Sequence, residues 1–300
     1  MNWTNKTQIV SQILIDELQL PTDFKQIVES TYLPLTAHIL DKKSEKPLFI
    51  NINGAQGTGK STLTHFLKHL IEAETEFSVA NISIDDFYST RADREKLAQS
   101  LHPLFLTRGV PGTHDVKLME NTLSRLLDGK ACSIPRFNKA VGDRYTEDQW
   151  TVCNNNTDIV LFEGWCNHSP AQSDKELLTP VNKLESTEDP DGIWRTYANE
   201  QLKDYHKKIF NHADMCIMLK APDFEKIFEW RCLQEDKLRK KTKLIGQSRI
   251  MSPNKLKHFI QHYERITRHT LQHLPDIADI VIPIAADHSI KNIINRYDTN

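Results

Sequence analysis

Short, continuous apolar runs recur along this chain at Leu48–Ile52, Val79–Ile84, Ile159–Phe162, Met215–Leu219 and Ile280–Ile284. Runs of that length without polar alternation suit strands buried on both faces. Between them the spacing turns helical: His65–Glu72 follows the first run, Val116–Leu127 lies between the second and third, and Phe224–Lys240 follows the fourth. A longer helix is predicted over about Pro253–Leu274, ahead of the fifth run. Ser252 can cap it, Pro253 fits its first turn, and Leu256, Phe259, Ile260, Tyr263 and Ile266 form one apolar stripe. Before the first strand, Ile9, Val10, Ile13, Leu14 and Leu18 recur at helical spacing. Pro21 ends that helix, and a second is predicted from near Asp23 until Pro34 interrupts it.

Alternating strands and helices predict a five-stranded parallel sheet with helices on both faces, a three-layer α/β/α fold with ligands at the carboxyl ends of the strands. Residues 1–45 read as a helical layer packed on a main domain over 46–300. Two stretches read as insertions. Asn167–Tyr205 is polar and carries Pro170, Pro180 and Pro190; Arg231–Arg249 is basic, with seven Lys or Arg against two acids.

Composition narrows the class. Hydrophobic residues are 39% and charged residues 26% of the 300, and the net charge of -2 lacks the basic excess of a nucleic-acid binder. The five cysteines are widely spaced and never C-x-x-C, which suggests reduced thiols, with neither a disulfide framework nor a zinc site. MNWTNKTQIV has no charged segment followed by an apolar core, and no run is long enough for a membrane helix, so the expectation is a cytoplasmic protein without a membrane partner.

The chemistry enters after the first strand. Gly54-Ala55-Gln56-Gly57-Thr58-Gly59-Lys60-Ser61 matches G-x-x-x-x-G-K-S/T between a strand and a helix. The glycines let the chain curl, so that successive N–H groups and the following helix N-terminus can hold an anion. ATP phosphates are therefore expected along Gly54–Thr62, with Lys60 on the β- and γ-phosphates and the Ser61 hydroxyl on Mg²⁺. Guanine readers carry N-K-x-D. The candidates here, Asn138-Lys139-Ala140-Val141 and Asn182-Lys183-Leu184-Glu185, lack that Asp.

Ser83-Ile84-Asp85-Asp86-Phe87-Tyr88 ends the second strand and places two carboxylates beside the phosphate loop. Phosphoryl transfer to an alcohol needs a base there, and Asp85 is the choice; it could also touch Mg²⁺. Asp86 could cap the next segment, and both acids could simply cap a turn. Leu161-Phe162-Glu163-Gly164-Trp165 ends the third strand, where Glu163 can hold Mg²⁺ as a Walker-B acid does.

Together these elements resemble the phosphoribulokinase/uridine kinase group of P-loop kinases, and within it the glycerate 3-kinases and their uncharacterised relatives. Supporting matches are Arg108-Gly109-Val110-Pro111-Gly112-Thr113-His114-Asp115, Ile134-Pro135-Arg136-Phe137-Asn138-Lys139 leading to Gly142-Asp143-Arg144, Val181-Asn182, and Trp230-Arg231 with Gln234-Glu235. The resemblance implies a P-loop NTPase fold, Asp85 as base, and Asp86, Tyr88, Arg108, His114 and Asp115 on the acceptor side. Arg136, Lys139 and Arg144 would form a basic lining there, and Arg231 would begin a lid over ATP at about 231–249. Phe137-Asn138 stands where the group suggests Tyr-Asp, and Asn199–Phe210 adds no substrate signal.

A basic pocket suits an anionic acceptor such as a hydroxy acid. Two further patterns carry less. His65/His69, His258/His262 and His269/His273 have the i,i+4 spacing of a zinc pair but show no third ligand in sequence. The run Lys237, Arg239, Lys240, Lys241, Lys243 is open to three readings: a solvated helix, a lid, or a nucleic-acid patch. The expected activity is Mg²⁺-dependent transfer of the ATP γ-phosphate to a small anionic metabolite, with D-glycerate leading. The alternatives are a kinase of the same group acting on pantothenate or a nucleoside, and an ATP-binding regulatory protein without turnover.

Overall fold

The computed structural model describes residues 3–154, 156–242, 251–290 and 293–296. In chain order it begins with α1 (Asn5–Glu17), α2 (Phe24–Ile27), a π-turn over Val28–Tyr32 and α3 (Leu33–Lys42). The first core strand, β1 (Leu48–Gly54), leads into α4 (Lys60–Glu74) and β2 (Val79–Ser83). Then come α5 (Arg91–Ser100) and α6 (Val116–Leu127). Next are four short strands, β3 (Cys132–Ile134), β4 (Phe137–Asn138), β5 (Asp143–Arg144) and β6 (Thr151–Cys153). β7 (Ile159–Gly164) is followed by α7 (Asp174–Leu177), α8 (Lys183–Glu188), α9 (Ile193–Lys208) and β8 (Met215–Lys220). The chain closes with α10 (Phe224–Thr242), α11 (Pro253–His273), β9 (Ile280–Pro283) and β10 (Ile294–Asn295).

The main sheet has the order β10-β9-β8-β1-β7-β2. All five predicted strands are present and pair in parallel, but β10 adds a sixth, antiparallel to β9 at the edge. Its two residues, Ile294 and Asn295, are too short a run to announce a strand in sequence. β1 is buried along its whole length, as the central strand of such a sheet must be. Its side chains alternate: Ile50 and Ile52 join a core with Leu67 of α4 and Leu35 of α3, while Phe49 joins one with Met119 of α6 and Leu202 of α9. Helices therefore cover both faces, which is the three-layer α/β/α arrangement that the alternation predicts. Ser252 caps α11 as expected, its hydroxyl accepting from the Lys255 N–H.

Three expectations change. Pro34 does not interrupt the second N-terminal helix. The π-turn, with the Leu33 N–H donating to the Val28 carbonyl, widens the helix just where a proline ring would strike the carbonyl four residues back. Asn167–Tyr205 is no polar excursion: α9 buries Trp194, Ala198, Leu202 and Tyr205. Its polarity is spent internally, because Arg195 meets Asp189 at 3.0 Å and Glu185 meets Arg265 of α11 at 2.6 Å, all of them buried. The third is α5, which has a weak apolar stripe and lies in a stretch without predicted structure. Of the basic stretch, α10 reaches Thr242, and 243–249 lie outside the described residues. No described helix is long and apolar enough to cross a membrane, and no two cysteines are joined among the described residues.

Candidate active site

The loop at the end of β1 is built from local rules. Gly57 and Gly59 take φ of 85° and 92°, which curls the chain between β1 and α4. Lys60 Nζ folds back to the Ala55 carbonyl at 3.2 Å. Burial holds its amine below the ordinary value against the pull of the Glu163 and Asp85 carboxylates. The Ser61 hydroxyl donates to Glu163 Oε1 at 3.1 Å. β7 pairs with both β1 and β2, so it delivers Glu163 between the phosphate loop and Asp85. Residues Gly57–Thr62 line a cleft of about 730 Å³ whose walls are Leu20–Ile27 of the N-terminal layer on one side and Ile284–Ile290 on the other. His288 reaches the Gly57 carbonyl at 3.0 Å and stacks on Trp230 at 4.2 Å.

Asp85 and Asp86 sit in a tight turn, Ile84–Phe87, that leaves β2. The Arg108–Asp115 segment docks beside it: Tyr88 bridges to His114, and the Asp115 N–H donates to the Phe87 carbonyl at 2.7 Å. Two motifs far apart in sequence thus share one wall. Gly109 is required there. At φ 108° a side chain would strike the Tyr263 hydroxyl, which itself donates to the Arg108 carbonyl at 2.7 Å. Trp165, from the strand end that carries Glu163, donates to the Gly109 carbonyl at 2.8 Å.

Asp85 Oδ1 accepts from the Tyr88 hydroxyl at 2.5 Å and Oδ2 from Lys139 Nζ at 2.7 Å. Burial pushes this carboxyl up, but Lys139 and the Tyr88 hydrogen bond outweigh it and hold Asp85 below the ordinary carboxylate range. For Asp86 burial wins over the Arg136 contact, and its pKa is raised. The predicted basic lining is real but not free. Arg136 meets Asp86 at 2.6 Å, Lys139 meets Asp85 at 2.7 Å, and Arg144 meets Asp115 at 3.2 Å. Asp115 also caps α6, accepting from the Leu118 N–H at 3.0 Å. Arg231 lies on α10 against Glu235 at 2.6 Å, a contact within its own helix.

On the acceptor side two other cations, Arg108 and Arg94, form no ion pair with a carboxylate among the described residues. Arg108 lies 5.4 Å from the Phe137 ring centre, and Arg94, which the sequence reading missed, lies 5.9 Å from it. Arg94 is buried and donates through Nη2 to the Gly142 carbonyl at 2.8 Å, but its Nε and Nη1 have no partner. Burial, with Arg108 beside it, lowers its pKa. Arg144 Nε and His114 Nε2 are likewise buried and unpartnered. Tyr205 Oη accepts from the Gly112 N–H at 2.8 Å and lies 2.9 Å from His114 Nδ1. Burial lowers His114 to about 4, so at neutral pH the ring is uncharged. Of Tyr205 Oη and His114 Nδ1, one donates to the other, according to which ring nitrogen carries the proton. Buried polar atoms without partners are costly and rare in a finished core, so their cluster around Tyr88 and Phe137 is a candidate ligand position. Nothing in the R-A-D-R-E string announces Arg94, and Tyr205 lay in the stretch that gave no substrate signal. Asn138 leaves the pocket altogether: its Oδ1 accepts from the Ala140 and Val141 N–H groups and shapes the β4–β5 turn.

A phosphate loop, acids at the carboxyl ends of β7 and β2 and a polar acceptor side are the parts of a phosphotransferase, and comparison with known proteins agrees. The model of the phosphoribulokinase/uridine kinase family matches residues 49–169. An uncharacterised kinase of Schizosaccharomyces pombe is 33% identical over 234 residues, spanning 74% of this chain and 80% of that protein. The chain belongs to the phosphoribulokinase/uridine kinase family. Its kinase relatives include the chloroplastic D-glycerate 3-kinase of Arabidopsis thaliana, 26% identical over 86% of this chain and 57% of that protein. A solved structure of D-glycerate 3-kinase from Cryptococcus neoformans shares the fold, with a TM-score of 0.70 at 23% identity over 92% of this chain and 99% of that one.

Proposed function

We propose that this kinase transfers the γ-phosphoryl group of Mg²⁺·ATP to a hydroxyl of a small anionic metabolite, with D-glycerate the leading acceptor. The observation that carries the reading is the position of Asp85. Its carboxylate lies within electrostatic reach of the Lys60 ammonium and of His114, and Arg94, Arg144 and His114 carry buried polar atoms without a partner. The donor set fits the cofactors: Ser61 and Glu163 offer hard oxygens at one end of the loop, and Lys60 offers a cation. Mg²⁺, when bound there, neutralises charge on the β- and γ-phosphates.

The chain's own residues do the rest. Lys60 and the loop N–H groups hold the phosphates. Asp85, ionised and fixed by Tyr88, accepts the hydrogen bond of the attacking hydroxyl and takes its proton late in transfer, which suits a weak base. Arg94, Arg108 and His114 bind the acceptor's carboxylate and hydroxyls, because only charge-assisted contacts repay the desolvation of an anion. Arg231, at the start of the expected lid, helps to cover ATP and limit water.

ADP release with ATP, Mg²⁺ and a panel of acceptors tests this. Turnover with glycerate above pantothenate and nucleosides is expected. Turnover with only one of those others moves the acceptor assignment, and ATP binding without ADP release from any acceptor would mean a regulatory protein.

A further inference from the structure

Outside the kinase site, and among the described residues, Glu176, His269 and His273 bring metal-ligating atoms together. The histidines stand one turn apart at the end of α11, their ring centres 4.3 Å apart. Glu176 comes from α7, in the segment that follows β7. One ligand atom from each lies within 4.8 Å of the others, and Glu176 Oε1 is 3.4 Å from His269 Nδ1. Ligands at about 2.0–2.1 Å around a tetrahedral zinc are roughly 3.3 Å from one another, so the set closes within the reach of side-chain rotation.

The surroundings favour a ligand role. Glu176 Oε2 accepts from the Ser173 backbone N–H at 2.8 Å and from its hydroxyl at 2.7 Å. That capping box fixes the carboxylate and leaves Oε1 for the histidines. His269 also hydrogen-bonds the backbone at Ala171, the kind of outer contact that orients a ligating imidazole. The nearby cation, Arg265, is closed onto Glu185 by contacts of 2.6 and 2.7 Å. The other two i,i+4 pairs differ: His258 pairs with Glu188 at 2.7 Å, while His262 is buried against its own helix carbonyls, and in the His65/His69 pair it is His69 that meets Glu72, at 4.0 Å.

We propose that Glu176, His269 and His273 bind one divalent transition-metal ion of the Zn²⁺ class, with water completing the coordination, and so tie α7 to the last turns of α11. The test uses the full chain after treatment with a chelator. Calorimetric titration with Zn²⁺ should show one equivalent bound with micromolar affinity and a raised Tm, and Co²⁺ should give the visible absorption of a four-coordinate site. His273→Gln and Glu176→Gln should each weaken Zn²⁺ at least tenfold while circular dichroism stays unchanged. Ser173→Ala, which removes the hydroxyl that supports Glu176 Oε2 and caps α7, should weaken it by about tenfold. His65→Gln should change nothing. Absence of binding, or binding that either His273→Gln or Glu176→Gln leaves at full strength, overturns the proposal.

Discussion

The phosphate side and the acceptor side of this site are built in opposite ways. Gly54–Thr62 is one contiguous loop, and its geometry follows from glycine positions and a strand–helix junction. The acceptor side is assembled from α5, the Arg108–Asp115 segment, the β4–β5 hairpin and α9, brought together by Tyr88, Tyr205 and Tyr263. A contiguous loop can be recognised wherever it occurs. A pocket drawn from four segments depends on each of them packing correctly, and its residues need no common motif.

That contrast can be broken by substitution. The largest effects belong to the shared centre. Lys60→Ala should lower kcat by on the order of a thousandfold and weaken ATP. Asp85→Ala should cost roughly 10²–10⁴ in kcat while leaving ATP affinity nearly intact. Activity within tenfold of wild type would remove Asp85 from the role of base.

Next in size are residues that divide the two sides. Arg94→Met should raise the acceptor KM by about tenfold or more, the loss of a charged hydrogen bond, with the KM for ATP unmoved. Steady-state kinetics in both substrates decides this, and equal shifts in the two would erase the distinction. Tyr205→Phe strands the Gly112 N–H and His114 Nδ1 and should cost about 1–3 kcal/mol in denaturant unfolding.

Three histidines held below their ordinary pKa predict a pH effect. His114, His168 and His262 each lie at about 4, against 6.5 in the unfolded chain. The folded state therefore binds fewer protons between those values, so stability is full above about 6.5 and falls as pH drops towards 4. Tm measured across that window should decline, and a flat profile would mean these rings are charged in the fold. The smallest effect is Asn138→Asp. An aspartate can accept the same two N–H groups of the turn, so kcat/KM for the acceptor should change less than about twofold. A large gain on glycerate would return position 138 to the pocket.

Much of the centre was legible in sequence because it depends on local rules. The five parallel strands, the capped α11 helix and the loop follow from short periodicities and one motif. Asp85 and Glu163 could be placed because a parallel sheet puts strand ends on one edge. The acceptor side was legible in part: Arg136, Lys139 and Arg144 were expected as free cations, yet each closes on an acid. Charge counted along the chain does not reveal which partner will consume it.

By itself, then, the sequence determined the architecture and the phosphate-binding chemistry, since both arise from residues within a few positions of each other. Only the tertiary structure decided which cations and donors remain without a partner. Arg94 became an acceptor candidate through the way α5 packs on Phe137, and Glu176 joined His269 and His273 because α7 lies against α11. The polar residues of Asn167–Tyr205 find their partners only in the fold, Arg195 on Asp189 within the segment and Glu185 on Arg265 of α11. The physical reason is the same in each case: burial gives a polar group its meaning, and burial is a property of the whole fold.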